Sequence, residues 1–420
     1  MKKLLIAVLC LMLTGCAAPA PSDGSGPDRS VSPDIPAPSP AASSAPNGES
    51  GPPQASPETD PETAENPSAS QEPSESSLGP QNQEQIIQEL LSAMTLEEKV
   101  GQMFFVRCPE TGGAELAAQY KVGGYLLFGR DFKDKTAQQV RDDIQSYQDA
   151  SGIPLLIGTD EEGGTVVRVS SNPHLRASKF PSPQKAYASG GMEAVLADTR
   201  EKDLLLSALG FNVNLSPVAD VSTNPADFMY DRTFGQDAAA TADYVAQVVS
   251  QMAEDGMGSV LKHFPGYGNN VDTHTGIAVD QRPLESFTSS DFLPFQAGME
   301  SGGGKTAVLV SHNIMTAVDG DLPASLSPKV HGLLRTDLGF DGVVMTDDLA
   351  MDAVMEYAQN GSAAVLAIQA GNDMVVTTDF QTQIPQVIHA VQSGVIAESQ
   401  IDQAVTRVLN WKYELGLLGN

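Results

Sequence analysis

Several charged or polar residues of this chain stand directly after short apolar runs, where the backbone would hold them firmly. Residues 342–348 read Gly-Val-Val-Met-Thr-Asp-Asp, so Asp347 follows its apolar run without an intervening turn. A carboxylate fixed at the end of a buried strand has little freedom to relax away from an electrophile, which suits a nucleophile. The Asp347-Asp348 pair equally fits a metal site or the N-cap of a following helix, and the motif alone leaves these open. Lys262 and His263 end another run and lead into Phe264-Pro265-Gly266-Tyr267-Gly268, whose proline and glycines mark an irregular loop. Asp272 and His274 follow, two apart, so in an extended segment their side chains share a face. A carboxylate that accepts from an imidazole orients the ring and raises its basicity, giving an acid/base pair for near-neutral pH; a structural turn is the alternative. Further junctions are Asp160 at the head of Asp-Glu-Glu-Gly-Gly, Asp220, and Ser311-His312-Asn313. No strong set of additional ligands accompanies Asp272 and His274, so neither a metal nor a cofactor is expected.

The elements behind these residues are short β-branched and apolar runs at 101–108, 122–128, 154–159, 211–215, 258–262, 306–311, 342–346 and 373–377. Helix-like segments lie between them at 133–150, 192–209, 238–255, 289–301, 328–338 and 353–370, with a closing helix at 399–415. Near-continuous apolar strands alternating with helices imply a parallel sheet covered by helices. Eight such units favour an α/β fold closed as a single (β/α)8 TIM-type barrel over an open doubly wound sheet. In that barrel the carboxyl ends of the strands form one face, which carries the active site. General loop polarity is the bland alternative, but it does not explain why single charges abut apolar strands so repeatedly.

The barrel would occupy residues 84–420 of the 420-residue chain. Residues 1–16 have Lys2 and Lys3 followed by an apolar run too short to span a membrane, ending in Leu-Thr-Gly-Cys. This resembles a bacterial lipobox, with Cys16 the acylated residue, and implies an exported chain anchored at the extracytoplasmic face of the cell membrane. Residues 17–83 are rich in Pro, Ser, Ala, Gly and acidic residues, and cannot bury enough apolar surface to order themselves, so a disordered tether is expected. The net charge of −29 argues against a nucleic-acid partner, and no obligate protein partner is evident. Of three cysteines, Cys10 and Cys16 belong to the leader, which leaves Cys108 unpaired and expected to pack as a small hydrophobe.

Taken together, residues 123–130 (GGYLLFGR), 160–168 (DEEGGTVVR), 214–220 (NLSPVAD), 232–235 (RTFG), 262–268 (KHFPGYG), 272–274 (DTH), 323–327 (PASLS) and 339–348 (GFDGVVMTDD) resemble glycoside hydrolase family 3, in its β-N-acetylglucosaminidase branch. The resemblance implies a retaining, exo-acting enzyme that hydrolyses terminal β-linked N-acetylglucosamine from peptidoglycan fragments or related oligosaccharides. It implies that Asp347 is the nucleophile and that Asp272 and His274 form the acid/base dyad. It further implies that Asp160, Arg168, Arg232, Lys262 and His263 hold the terminal sugar.

Two positions depart from the pattern, Tyr267 where the branch often has histidine and Thr273 where serine is common. Members acting on glucosides usually carry a second domain that contributes to the site; this sequence shows none after the closing helix, which agrees with an N-acetylglucosaminide substrate. Phosphate in place of water as acceptor is the nearest rival, and a sugar-binding lipoprotein without catalysis is a more remote one.

Overall fold

The computed structural model describes residues 80–270, 278–351, 354, 357 and 362–419. Cys16, the leader, the expected tether up to residue 79, Asp272 and His274 lie outside the described residues.

Eight parallel strands form the sheet: β1 Phe104–Arg107, β2 Gly124–Leu126, β3 Leu156–Thr159, β4 Val213–Asn214, β5 Gly258–Phe264, β6 Thr306–Val310, β7 Val344–Thr346 and β8 Val375–Thr377. Neighbours run in the order β8-β1-β2-β3-β4-β5-β6-β7. The parallel bridge between Met345 and Met374 brings β7 back to β8, so the sheet is a nearly closed barrel. Each strand falls within one of the eight apolar runs or overlaps it, as the sequence leads one to expect. The first run differs at its start, because Gly101 and Gln102 belong to the helix Leu96–Gln102. A capping box of Thr95 and Glu98 begins that helix and fixes its register.

The barrel has two distinct apolar layers. Phe105, Leu126, Leu156, Val260, Leu309 and Met345 fill its interior, and Trp411 of the helix Glu398–Glu414 plugs the amino end, donating its indole N–H to Lys305 O at 2.9 Å. The alternate residues of the strands, such as Phe104, Val106 and Ile157, pack outward against the helices. The ring of Phe105 fits inside because Gly158 faces it: a Cβ there would stand 2.5 Å from the ring. Cys108 is a free, buried thiol, and burial pushes it up to about 12, as befits an inert apolar side chain.

The helices differ from the periodic segments mainly at their ends. The helix expected from 192 starts at Pro183, after the Ser182 cap, and kinks at Gly190–Gly191. That expected at 353–370 is described only over Ala363–Ala370. The first helix, Pro80–Ala93, overlaps the end of the stretch read as tether, and Gln83 donates to Asn410 and Glu414 of the last helix.

Candidate active site

The side-chain alternation of the strands builds the site. Phe105, Leu126, Leu156, Val260 and Met345 point into the barrel. Two residues further on, the same face presents Arg107, Phe128, Gly158 followed by Asp160, Lys262 and Asp347. These residues stand at the carboxyl end of the barrel, above its apolar filling.

A cavity of about 530 Å³ opens there, lined by Asp160, Arg168, Arg232, Lys262, His263 and Asp347. All five residues assigned to sugar binding by resemblance, and the assigned nucleophile, therefore reach one cavity. Asp272 and His274 are outside the described residues, so their place relative to it is not part of this geometry. The segment that holds them is flanked by Asn270, whose amide donates to Asp280 Oδ2 at 2.6 Å, and by Arg282, which pairs with Asp280 and Asp291 at 2.8 and 2.9 Å.

The cations are held by a buried carboxylate that the sequence reading did not single out. Glu162 Oε1 lies 2.6 Å from Lys262 Nζ and 2.7 Å from Arg232 Nη2, and its Oε2 accepts from Arg232 Nε at 3.0 Å. Asp160 Oδ1 accepts from Lys262 Nζ at 2.7 Å, and Asp160 Oδ2 lies 3.5 Å from Arg168 Nη2. Burial alone would raise the Glu162 carboxyl, but the charges of Lys262 and Arg232 outweigh it and hold it well below the usual carboxylate range. The chain Arg168–Asp160–Lys262–Glu162–Arg232 thus leaves donors and acceptors in fixed positions without a freely moving charge.

His263 is oriented from behind. Its ring Nδ1 and its backbone N–H both face Asp220 Oδ2, and Arg232 Nη2 stands 3.3 Å from Nε2. Because a carboxylate accepts and a guanidinium donates, this network assigns the proton to Nδ1 and leaves Nε2 as acceptor. Tyr267 donates its backbone N–H to Asp220 Oδ1 at 2.7 Å and sets its ring edge-on to His263. Tyr267 is buried, so the departure from the family pattern fills the wall behind His263.

The loop bearing Arg168 closes around Glu161. That buried carboxylate accepts from the backbone N–H groups of Arg168 and Val169 at 2.8 and 2.7 Å and from the Ser170 hydroxyl. Asp347 leaves β7 with its backbone N–H donating to Val310 O, while its own Oδ1 accepts from Asp348 N at 2.8 Å. Asp348 Oδ1 accepts from Ala350 N, a local turn contact, so the pair divides into one residue bracing the backbone and one at the strand end. Among the described residues, no group of three or more His, Cys, Asp or Glu side chains could hold a metal ion.

Sequence reasoning passed over Glu162 and left Asp220 without a role, although both stand in quoted motifs. It also missed Arg107, Phe128, Phe228 and Met351, which are part of the cavity wall. Arg107 carried a readable signal, since it continues the inward face of β1 two residues after Phe105.

Comparison with known proteins gives the family of the barrel. Residues 95–411 match the glycosyl hydrolase family 3 N-terminal domain. A β-hexosaminidase, LpqI, of Mycobacterium tuberculosis is 30% identical over 329 residues, covering 75% of this chain and 82% of that protein. A β-hexosaminidase of Stenotrophomonas maltophilia is 33% identical over 323 residues, covering 73% of this chain and 89% of the relative. The solved family 3 β-N-acetylglucosaminidase of Paenibacillus sp. superposes with a TM-score of 0.72 at 30% identity; the match covers 78% of this chain and 64% of that one, less than two thirds of its length. The barrel, the order of its motifs and the span of the match show that the chain belongs to glycosyl hydrolase family 3.

Proposed function

We propose that this chain is a retaining, exo-acting β-N-acetylglucosaminidase that releases terminal β-linked N-acetylglucosamine. The observation that supports this most is the convergence of Asp160, Arg168, Arg232, Lys262, His263 and Asp347 on one cavity at the carboxyl end of the barrel. In this reading Asp160 accepts from vicinal hydroxyls, and Lys262, Arg168 and Arg232 donate to others. A sugar of the wrong configuration leaves these buried groups unpaired, which sets specificity. Asp347 attacks the anomeric carbon and forms a glycosyl ester as the bond to the leaving oxygen breaks. His274, oriented by Asp272, gives its proton to that oxygen and then takes one from the attacking water. Water's oxygen bonds to the anomeric carbon, the ester bond breaks, and the carboxylate of Asp347 is restored.

The reading extends to location. Cys16 acylated as the mature N-terminus would hold the barrel on the outer face of the membrane, with residues 17–79 as spacer, within reach of peptidoglycan fragments. The relatives named β-hexosaminidase and the solved β-N-acetylglucosaminidase support the substrate class.

The test is a panel of aryl β-glycosides, with the first-formed anomer followed by NMR. Turnover of the N-acetylglucosaminide with β-anomer released first, abolished by Asp347→Ala, is the expected result. Early α-anomer, or equal turnover by Asp347→Ala, overturns the reading.

A further inference from the structure

The proposed steps leave Ser311-His312-Asn313, just past the end of β6, without a role. Leu309 of that strand points into the barrel and Val310 points outward, so His312 falls on the outward side, where it is fully buried. It is not part of the cavity wall. Its ring instead joins two turns of the backbone. Nε2 lies 3.0 Å from Asp348 O, and Nδ1 lies 2.7 Å from Ser325 Oγ. A carbonyl oxygen can only accept, so this contact assigns a proton to Nε2, and in the neutral ring Nδ1 accepts from the Ser325 hydroxyl. Ser325 is itself fixed. Its backbone N–H donates to Ser311 O at 3.0 Å, and its carbonyl accepts from the Asn372 amide at 2.8 Å.

The other end of this relay is the residue that serves the assigned nucleophile. Asp348 donates its backbone N–H to Asp347 Oδ1 at 2.8 Å and accepts from His312 at its carbonyl. The two contacts sit at opposite ends of one residue, so the hold on its carbonyl also sets the aim of its N–H. Backbone bonds anchor the neighbours to the barrel, Asp347 N to Val310 O at 2.9 Å and Leu349 N to Val376 O at 3.0 Å. Asp348 O also accepts from Met351 N at 3.1 Å, a bond inside the same turn that can swing with it. His312 ties that turn to a separate element, the 3-10 helix Ala324–Leu326.

We propose that the Ser325–His312 relay positions the nucleophile, by holding the Asp348 backbone so that its N–H keeps the Asp347 carboxylate aimed at the anomeric carbon. This rests on the reading of Asp347 as the attacking group. His312 is a positioning residue, since it acts through Asp348 and not on the sugar. The groups proposed to hold the sugar, Asp160, Arg168, Arg232, Lys262 and His263, make their printed contacts with one another, with Glu162 and with Asp220, not with His312. Loss of the relay should therefore slow the attack and leave sugar affinity intact.

The experiment uses the full chain and a nitrophenyl β-N-acetylglucosaminide. Single-turnover release of nitrophenolate reads the attack by Asp347, and competitive inhibition by N-acetylglucosamine reads binding. Two substitutions separate the ends of the ring. The amide of His312→Asn reaches only the place of Nδ1, so it keeps Ser325 and loses Asp348. The amide of His312→Gln reaches the place of Nε2 and can still donate to Asp348 O. His312→Asn should slow the single turnover about 10²-fold, the effect of misplacing a reacting group by roughly 1 Å, with the inhibition constant unchanged. His312→Gln should restore most of the rate. Equal rates in the two variants overturn the proposal. So does a His312→Asn enzyme that loses affinity in proportion to rate, because the ring would then support the cavity wall. If His312→Asn does not fold, Ser325→Ala takes its place. It removes one neutral hydrogen bond and should slow the same step about 5–10-fold at an unchanged inhibition constant. Wild-type speed in Ser325→Ala overturns the relay. Undiminished release by Asp347→Ala would instead sink the reading of Asp347 beneath it.

Discussion

Asp220 Oδ2 accepts from His263 twice, from the ring Nδ1 at 2.7 Å and from the backbone N–H at 3.1 Å. One carboxylate thereby fixes both the backbone and the ring of a residue proposed to touch the substrate. Asp220→Asn keeps the shape but leaves one accepting oxygen for three donors, since Tyr267 N also points at this carboxylate, so the amide N–H₂ must face at least one of them. The ring should turn, and kcat/KM should fall about 10²-fold, the effect of misplacing a contact by roughly 1 Å. Steady-state kinetics with a thermal melt check this. Full activity with an unchanged melt would show that His263 needs no such brace.

Glu162 carries a different burden, because it neutralises Lys262 and Arg232 together. Breaking a buried ion pair from one side leaves an uncompensated charge and costs about 3–5 kcal/mol. Glu162→Gln should lower the melting temperature and raise KM, as both cations drift from their places. The pH dependence has a definite sign. A carboxyl held well below its ordinary value stabilises the fold fully above the unfolded value, and loses that effect only as pH falls through the depressed one. Between about pH 6 and 8 the gap between wild type and Glu162→Gln should therefore stay constant. A gap that opens or closes across that window would contradict an ionised Glu162.

The parts of this architecture that were legible in the sequence are those with a local pattern. The eight strands announce themselves as short apolar runs, and Asp160, Lys262 and Asp347 as charges at their ends. Arg232 could be found only by resemblance, because it lies in a short 3-10 helix, Tyr230–Arg232, inside a loop with no periodicity. Glu162 and Asp220 act on partners 70 and 43 residues away, and no local spacing records such pairings. The helix Phe380–Gln392 is not among the expected segments; it contains Pro385, a residue that ordinarily interrupts a helix, and continues past it. The helix-like segment 192–209 begins after Gly190–Gly191, and the helix itself runs from Pro183 to Leu209 with those two glycines as a kink inside it.

Asp203 offers a test of stability away from the site. Both of its carboxylate oxygens are buried without a hydrogen-bond partner, on the long helix Pro183–Leu209. Burial, with the nearby Asp255 charge, pushes its carboxyl up to about 8 against the opposing effect of Lys202. A carboxyl with a raised folded value gives stability that is full below the unfolded value, near 4, and is lost as pH rises through about 8. The wild type should lose stability over that window, since each pKa unit corresponds to about 1.4 kcal/mol. Asp203→Asn holds a permanently neutral group in the same place. Its melting curve should be flatter from pH 4 to 8, and it should be the more stable protein at pH 8. Parallel curves would mean that Asp203 is ionised in the fold.

The proposed catalytic steps separate by leaving group. Asp347 must attack the anomeric carbon whichever group departs, so Asp347→Ala should abolish turnover of every substrate. His274 has the narrower task of protonating the departing oxygen and then activating water. A nitrophenolate departs with little help, whereas a sugar alkoxide does not. His274→Ala should slow glycosyl-enzyme formation strongly for a disaccharide and far less for an activated aryl glycoside. General acid/base assistance is worth about 10²–10⁴-fold, which bounds the gap between the two. With the activated substrate the second step becomes limiting, and a covalent adduct should accumulate on Asp347, visible by mass spectrometry of the quenched enzyme. Asp272→Asn should give a milder form of the same pattern, because the imidazole remains but loses its orienting carboxylate. If glycosyl-enzyme formation in His274→Ala falls equally for both leaving groups, His274 is not the acid, and a sugar-holding role replaces the one proposed.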